Sequence, residues 1–221
     1  MNQPITAIFI PAFKRSNRFQ AVIDNITANT PENTYKIYFI LEKNDQPSID
    51  ECIHLDLNFY LNEHEACYAG AINTAYEKTT EPYFFTGADD LNFHTGWLSK
   101  ALDCMENGKE VIGTNDMGDI PIGEARDATH YLISRKYIQE QSGRIDCPNM
   151  VLYPYEHNYT DKEFIETAKA RGVYAYAKES LVEHLHWAWN KAKMDETYQR
   201  GFESNERDRQ TYLSRQHLWK T

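Results

Sequence analysis

The sequence predicts a single-domain α/β fold, with a Rossmann-like, mostly parallel sheet that is flanked by helices. Two observations indicate this class. Short apolar segments alternate with helical segments three times within the first 90 residues. Several of these segments are apolar almost without interruption, which is typical of strands that are buried on both faces of a parallel sheet. We expect residues 1–221 to form one unit, because this length is ordinary for one α/β domain.

The first elements follow from the positions of apolar residues. Ile5–Ile10 is a nearly continuous apolar run that ends at Pro11, and it predicts a first buried strand. Ser16 is expected to cap a helix in which apolar residues recur at helical spacing. Lys36–Leu41 and Phe59–Leu61 predict the second and third strands. The order strand, helix, strand predicts a right-handed βαβ unit.

A helix of small residues precedes the fourth strand. Ala69–Tyr76 predicts a helix that can pack closely against its neighbours, and this helix contains the polar residue Asn73. Two interpretations of Asn73 stay open, an exposed helix position or a side chain that braces the nucleotide loop. Tyr83–Thr86 then predicts a short buried strand, which Gly87 ends.

Two adjacent carboxylates, Asp89 and Asp90, stand just beyond this strand. In an open α/β sheet, ligands bind beyond the carboxyl ends of the strands. Neighbouring acids repel each other unless a cation neutralises them, and carboxylate oxygens suit Mg²⁺ or Mn²⁺, which can bridge to a diphosphate. The pair therefore indicates a site for a metal and a nucleotide. The alternative is a solvated turn before a helix.

The next part of the chain predicts further elements around a long loop. Asn115–Ala128 holds glycine, proline and several acids, and it is typical of a surface loop that carries specificity. The elements expected around it are a helix from Gly96 to Met105 that Asn107 and Gly108 stop, a strand Val111–Thr114, a strand Tyr131–Ser134, a helix Arg135–Ser142 that Gly143 closes, and a loop over residues 146–159.

An acid stands at the start of a later helix. Thr160 and Glu163 match the reciprocal capping pattern, and Gly172 is expected to stop this helix. Asp161 would occupy the first helical position. One interpretation is a favourable contact with the helix dipole. The other is a carboxylate that the helix N-terminus keeps ionised, as a general base requires at neutral pH.

The C-terminal part predicts two strands and a charged helix. The strands are Val173–Ala177 and Leu181–His186, and His184 and His186 alternate to the same face of the second strand. This spacing suits two metal ligands and is equally that of an ordinary surface pair. Asp195–Leu213 mixes arginines with aromatic residues, and it predicts a helix that packs over the domain or touches an anionic partner.

Composition restricts the classes of function. The formal net charge of -10 argues against a surface devoted to the nucleic-acid backbone. The four cysteines form no CxxC pair, which favours a reduced, cytoplasmic setting over a zinc site or a disulfide scaffold. No run approaches the roughly 20 apolar residues that cross a bilayer, so we expect neither secretion nor a membrane span.

Several motifs together carry a family resemblance. They are Ile8-Phe9-Ile10-Pro11 with Arg15, Glu42 after the second strand, Gly70–Ala75, Thr86-Gly87-Ala88-Asp89-Asp90 and Gly96-Trp97-Leu98. With these motifs the chain resembles the inverting family-two glycosyltransferases of the GT-A fold. The compact length and the acid motif look most like the small glycosyltransferases that bacteriophages encode. The adjacent pair departs from the usual Asp-x-Asp, and Thr160-Asp161 stands where Glu-Asp is usual.

The resemblance implies a role for each candidate residue. The implied roles are nucleoside binding for Pro11, Arg15 and Glu42, ribose and metal binding for Asp89 and Asp90, completion of the metal site for His184 or His186, and removal of the acceptor proton for Asp161. A donor-nucleotide half over about residues 1–95 and an acceptor half over about residues 96–221 are expected. The implied location is the cytoplasm, which for a phage protein is that of the host.

The implied reaction transfers a sugar from a nucleoside diphosphate sugar to a hydroxyl acceptor and inverts the configuration of the anomeric carbon. It requires Mn²⁺ or Mg²⁺, and the family favours uridine as the nucleoside of the donor. Hydroxymethylated bases of viral DNA are one acceptor, and a saccharide or small molecule is the alternative. Two other functions stay open, a nucleotidyltransferase and a non-catalytic module that binds sugar nucleotides or DNA. The absence of a glycine-rich, lysine-bearing phosphate loop after the first strand argues against the nucleotidyltransferase. Oligomeric state is not indicated.

Overall fold

The computed structural model describes residues 5–105, 108–118 and 127–220. Its strands are β1 (Thr6–Ala12), β2 (Tyr35–Leu41), β3 (Phe59–Leu61), β4 (Tyr83–Thr86), β5 (Leu91–Phe93), β6 (Val111–Asn115), β7 (Tyr131–Ser134) and β8 (Tyr174–His184). Its α-helices are α1 (Phe19–Asn29), α2 (Gln46–His54), α3 (Tyr68–Lys78), α4 (Trp97–Asp103), α5 (Arg135–Gln141), α6 (Thr160–Ala170) and α7 (Glu196–Arg215).

The eight strands in the described ranges form one mixed sheet in the order β3-β2-β1-β4-β7-β6-β8-β5. The pairs β1–β2, β1–β4, β2–β3 and β6–β8 are parallel. Strand β7 runs antiparallel to both of its neighbours, and β5 runs antiparallel to β8. The mostly parallel α/β sheet that we expected is confirmed. Of the described strands, β5 and β7 run in the opposite direction to the others.

Both faces of the sheet are covered, which explains the nearly continuous apolar runs. Within β1, Ala7 and Phe9 belong to one buried cluster, whereas Ile8 and Ile10 belong to the cluster on the opposite face. Helix α3 packs in the first cluster, and helices α1 and α4 pack in the second. Trp97 of α4 is fully buried, and its indole N–H donates to the Thr30 hydroxyl at 2.9 Å.

Several predicted helix ends differ in the structure. Ser16 begins a single 3₁₀ turn, Ser16–Arg18, and its side chain does not cap α1, which starts at Phe19. Helix α5 is closed by Ser142, which has a positive φ of 58°, and not by Gly143 as we expected. Gly143 instead lies so close to the Val151 carbonyl that a Cβ would collide with it.

The expected capping box of α6 is wrong. Tyr159, with φ 67°, is the N-cap residue, and Thr160 is already helical. The Glu163 carboxylate does not reach back to the helix start, because it accepts from the Tyr155 hydroxyl at 2.6 Å and from the Arg215 guanidinium at 2.7 Å. The predicted stop is confirmed, since Gly172 follows the helix with φ 72°.

The sequence analysis missed two secondary-structure elements and divided one strand into two. The sequence analysis did not predict α2 or the three-residue strand β5. The two strands expected from 173 to 186 are one eleven-residue strand, β8, which ends at His184. Two of our predictions fall outside the described residues: the stop at Asn107 and the middle of the Asn115–Ala128 loop, at positions 119–126.

Candidate active site

A cleft of about 430 Å³ opens beyond the carboxyl ends of β1 and β4. Strands β1, β2 and β4 all end at this edge of the sheet. A polar residue that lines the cleft follows each of them: Arg15, Glu42 and Asp89. The cleft is lined by all but one of the residues that the sequence analysis selected: Pro11, Arg15, Glu42, Asp89, Asp90, Asp161, His184 and His186. Residues far apart in sequence therefore meet at the edge where ligands bind in this class of sheet.

The acid pair lies at this edge because the backbone of Gly87, shortly before the pair, packs directly against β1. The Gly87 N–H donates to the Phe9 carbonyl at 2.9 Å, and a Cβ at this position would lie 2.6 Å from the same oxygen. Asp89 and Asp90, which follow after Ala88, are each only 6% exposed. This burial excludes the solvated turn that the dipeptide alone allowed.

Arg15 holds both carboxylates of the pair. Its Nη1 donates to Asp89 Oδ1 at 2.9 Å and to Asp90 Oδ2 at 3.3 Å. The other edge of the guanidinium makes two bonds of 2.9 Å to the Asp195 carboxylate. Its plane also lies over the Tyr198 ring, with Cζ 4.4 Å from the ring centroid. Arg15 is therefore a fixed cation between the acid pair and the start of α7.

The two acids differ in their proton affinity. Burial, together with the charge of Asp90, raises the pKa of Asp89. Burial acts in the same direction on Asp90, but a hydrogen bond and charge from His184, with the charge of Arg15, hold the pKa of Asp90 well below its usual range. Asp90 is therefore the carboxylate of the pair that remains ionised at neutral pH.

Three histidines surround Asp90. His184, the last residue of β8, places Nε2 3.5 Å from Asp90 Oδ1. His186 lies beyond the strand, with its ring centroid 4.9 Å from that of His184, and burial lowers the pKa of His186 to about 4. His130 was missed by the sequence analysis. Its ring centroid lies 5.1 Å from that of His184, and burial lowers the pKa of His130 to about 3. The rings of His130 and His186 are therefore neutral near pH 7.

Few side chains in the cleft are arranged to hold Mg²⁺ or Mn²⁺. Within residues 5–105, 108–118 and 127–220, no three His, Cys, Asp or Glu side chains converge on one point. Asp90 and His184 do converge, and in the same ranges Nδ1 of His184 is buried with no hydrogen-bond partner. These hard cations are ordinarily held by one or two carboxylates, with substrate phosphates and water completing the shell. The residues thus fit a cation whose coordination a diphosphate completes.

Asp161 lines the same cleft from the first turn of α6. It is the second helical residue rather than the first, and its Oδ1 accepts from the Lys162 N–H at 2.8 Å. Burial raises the pKa of Asp161, so desolvation outweighs the helix-end effect that we expected to keep it ionised. A carboxylate with a raised pKa is a stronger base, which suits proton removal.

Asn73 does not lie in the cleft. Its side chain, 2% exposed, accepts from the N–H groups of Val151 and Leu152 and donates to the Leu152 carbonyl. The prediction that it braces the nucleotide loop is corrected, because it fixes the segment that follows α5. Glu42 does lie in the cleft, and Asn62 donates to its carboxylate at 2.9 Å.

A model of the family described as "Glycosyl transferase family 2" matches residues 7–159, which is more than half of the chain. The chain belongs to glycosyl transferase family 2. The matched range runs from β1 to Tyr159, the residue before α6, and it includes the acid pair of this family 2 chain. Asp161, His184 and α7 lie beyond that range.

Solved structures resemble this family 2 chain in fold. The mannosyltransferase PcManGT from Pyrobaculum calidifontis, in complex with GDP-Man and Mn²⁺, has 13% identity and a TM-score of 0.62, over 82% of this chain and 57% of that one. The glucosyl-3-phosphoglycerate synthase from Mycobacterium tuberculosis, in complex with Mn²⁺, UDP-Glc and phosphoglyceric acid, has 11% identity and a TM-score of 0.61, over 82% of this chain and 71% of that one. The chain thus spans little more than half of the mannosyltransferase. No curated protein sequence matched significantly.

These findings confirm the predicted fold class. No α-helix in the described part of the family 2 chain is both long enough and apolar enough to span a bilayer.

Helix α7 contributes residues that the sequence analysis did not place in the site. Asp195, its N-cap residue, and Tyr198 reach the acid pair and Arg15. The helix packs over the domain, as one of our two interpretations expected. Arg200 lines the cleft and donates to the Ala66 carbonyl at 3.1 Å, whereas the other three arginines of the helix pair with acids. Those pairs are Arg207 with Glu156, Arg209 with Glu206, and Arg215 with both Asp146 and Glu163.

Proposed function

We propose that this chain transfers a sugar from a nucleoside diphosphate sugar to a hydroxyl acceptor, with Mn²⁺ or Mg²⁺ and with inversion at the anomeric carbon. The observation that carries the proposal is that one cleft gathers a buried acid pair, a histidine beside it and a second carboxylate of raised pKa. The solved neighbours support it, because both contain Mn²⁺ with a nucleotide sugar.

The donor end of the cleft is assigned to the residues at the ends of β1, β2 and β4. Pro11 and Glu42 line the part of the cleft that the nucleoside would occupy, and Asp89 is placed to accept from the ribose hydroxyls. Asp90 and His184 would hold the cation. The chemistry that a bound Mn²⁺ or Mg²⁺ supplies is neutralisation of the departing diphosphate. Arg15 adds a fixed positive charge beside the same group.

Asp161 is assigned as the general base. The acceptor oxygen attacks the anomeric carbon, the bond from that carbon to the diphosphate oxygen breaks, and the acceptor proton passes to Asp161. One displacement of this kind inverts the configuration. Positioned bases contribute about 10²–10⁴ in rate, so loss of this carboxylate should slow the chemical step by a factor in that range.

The acceptor we propose is a hydroxyl group of a saccharide or another small molecule. A DNA acceptor would be bound through its phosphates, chiefly by free lysines and arginines. Three of the four arginines of α7 that suggested such a surface, Arg207, Arg209 and Arg215, are engaged with carboxylates, and the fourth, Arg200, donates to the Ala66 carbonyl at the cleft. Labelled donor should therefore transfer to a saccharide or polyol in a panel of acceptors. Label incorporated only into hydroxymethylated DNA would overturn this assignment and restore the DNA acceptor.

A thermal-shift panel of nucleoside diphosphate sugars, with and without Mn²⁺, tests the donor and the cation together. At a ligand concentration of 100 times Kd, binding stabilises a protein by about 2.7 kcal/mol, which corresponds to roughly 5–10 °C for a chain of this size. One donor should give this shift, and a uridine donor is expected. Asp90→Ala should lose the part that depends on Mn²⁺, whereas Asp103→Ala, at an exposed position, should keep it. No shift from any donor with Mn²⁺ would contradict the proposal.

A further inference from the structure

The first turn of α7 lies directly against the acid pair. Tyr198 is 4% exposed, and its hydroxyl donates to Asp90 Oδ2 at 2.7 Å. Asp195, one turn earlier, accepts from the Tyr198 N–H at 3.1 Å and binds Arg15 through both oxygens. Both residues lie outside the range that the family model matches.

These contacts give the two oxygens of Asp90 different surroundings. Oδ2 accepts from the Tyr198 hydroxyl and, at 3.3 Å, from Arg15. Oδ1 faces His184 Nε2 at 3.5 Å. The hydroxyl therefore fixes the rotation of the carboxylate, so that one oxygen is occupied and the other is turned toward the histidine.

The Tyr198 ring is itself held in place from two sides. Arg15 stacks on one side, with Cζ 4.4 Å from the ring centroid, and His186 meets the ring edge-on, with centroids 4.7 Å apart. A ring held in this way can keep its hydroxyl on Asp90 without a loss of side-chain freedom when a ligand arrives. Outer groups that orient a metal-binding carboxylate commonly change metal affinity by 10–100-fold.

We propose that Tyr198 is a positioning residue that presents Asp90 Oδ1 to the divalent cation. The proposal rests on the proposed function, in which Asp90 and His184 hold that cation. It assigns to α7 a part in the donor site, in addition to its packing role.

The test is a titration of the full chain with Mn²⁺ in the presence of UDP. The electron paramagnetic resonance signal of free Mn²⁺ measures how much of the ion is bound at each step. Tyr198→Phe removes one oxygen and keeps the ring between Arg15 and His186, so we expect it to fold, which circular dichroism will check. Its apparent Kd for Mn²⁺ should rise about 10-fold or more. The matched control is Tyr212→Phe, a buried tyrosine on the same helix outside the cleft, and it should bind Mn²⁺ as the parent does.

Three results would count against the proposal, and they differ in which other assignments they affect. If the parent binds Mn²⁺ and Tyr198→Phe binds it within twofold, Tyr198 does not position Asp90 and the proposed function stands. If the parent binds no Mn²⁺ with UDP, the cation assignment fails and the role of Tyr198 fails with it. An equal loss in Tyr212→Phe would show a general disturbance of α7 and would also count against the proposal.

Discussion

Replacement of Asp208 should destabilise the protein strongly, although this residue lies outside the cleft. Asp208 is a buried residue of α7, 3% exposed, and its carboxylate accepts from three consecutive backbone N–H groups of residues 156–158 at 2.9, 3.0 and 2.8 Å. The Ser204 hydroxyl donates to it as well, at 2.9 Å. Residues 156–158 line the cleft and lead directly into the turn of α6 that carries Asp161.

The magnitude follows from the three donors that Asp208→Ala leaves unpaired. A buried donor without a partner costs about 1–3 kcal/mol, and the hydrogen bonds lost here are to a charged group. The segment is only partly buried, so water will reach some of the freed N–H groups. We expect a loss of about 3–5 kcal/mol, which is a large share of the roughly 5–15 kcal/mol by which native domains are stable.

Urea denaturation followed by circular dichroism measures this loss by linear extrapolation. Asp208→Asn should recover part of it, because the amide oxygen can still accept from one or two of the donors. Glu206→Ala is the control on the same helix. That carboxylate is exposed and bonded only to neighbours within the helix, so its loss should stay within about 0.5 kcal/mol.

A free energy of unfolding that falls by less than about 1 kcal/mol in Asp208→Ala, with an unchanged denaturant slope, would refute this reasoning. It would mean that the three N–H groups are equally well satisfied by water, and that α7 does not hold the segment before Asp161 in place.

The remaining predictions concern Asp161 and Gly87. Asp161→Asn should lower kcat by about 10²-fold or more and leave donor affinity, measured by calorimetry, unchanged. Since burial raises the pKa of Asp161 and the base must be deprotonated, kcat/KM should fall with falling pH through a value above the ordinary aspartate range, and a pH profile of the parent will show it. Gly87→Ala should destabilise by about 1–3 kcal/mol in urea, because its Cβ would meet the Phe9 carbonyl at 2.6 Å; an unchanged midpoint would contradict this.

The buried strands could be predicted because their signal is local. β3, β4 and β7 have the bounds that their apolar runs indicated. Helix α2 was missed because few of its residues are apolar and only two are buried, although Asp45 before it is an N-cap whose carboxylate accepts from Ser48. Strand β5 is three residues long and is defined by its pairing with β8, which no local pattern encodes.

The site was predictable where its residues follow strand ends. Asp89 and Asp90 could be placed because β4 ends immediately before them, and the acid pair lies at the sheet edge as expected. Tyr198 could not be placed, because its bond to Asp90 spans 108 positions and the sequence of α7 shows only a mixed, charged helix. Glu163 illustrates the opposite failure. Its local capping pattern was clear, but a distant partner, Arg215, took the carboxylate.

The bond between Arg15 and Asp195 joins side chains 180 positions apart, one just after the first strand and the other at the start of the last long helix. During synthesis, all eight strands of the described sheet leave the ribosome before Asp195 does. Until then, Arg15 and the two acids that follow β4 can bond to one another, but Arg15 lacks Asp195 and Asp90 lacks Tyr198. The pocket should therefore be completed last, and a chain stalled before α7 should contain a formed sheet whose pocket still lacks these two side chains.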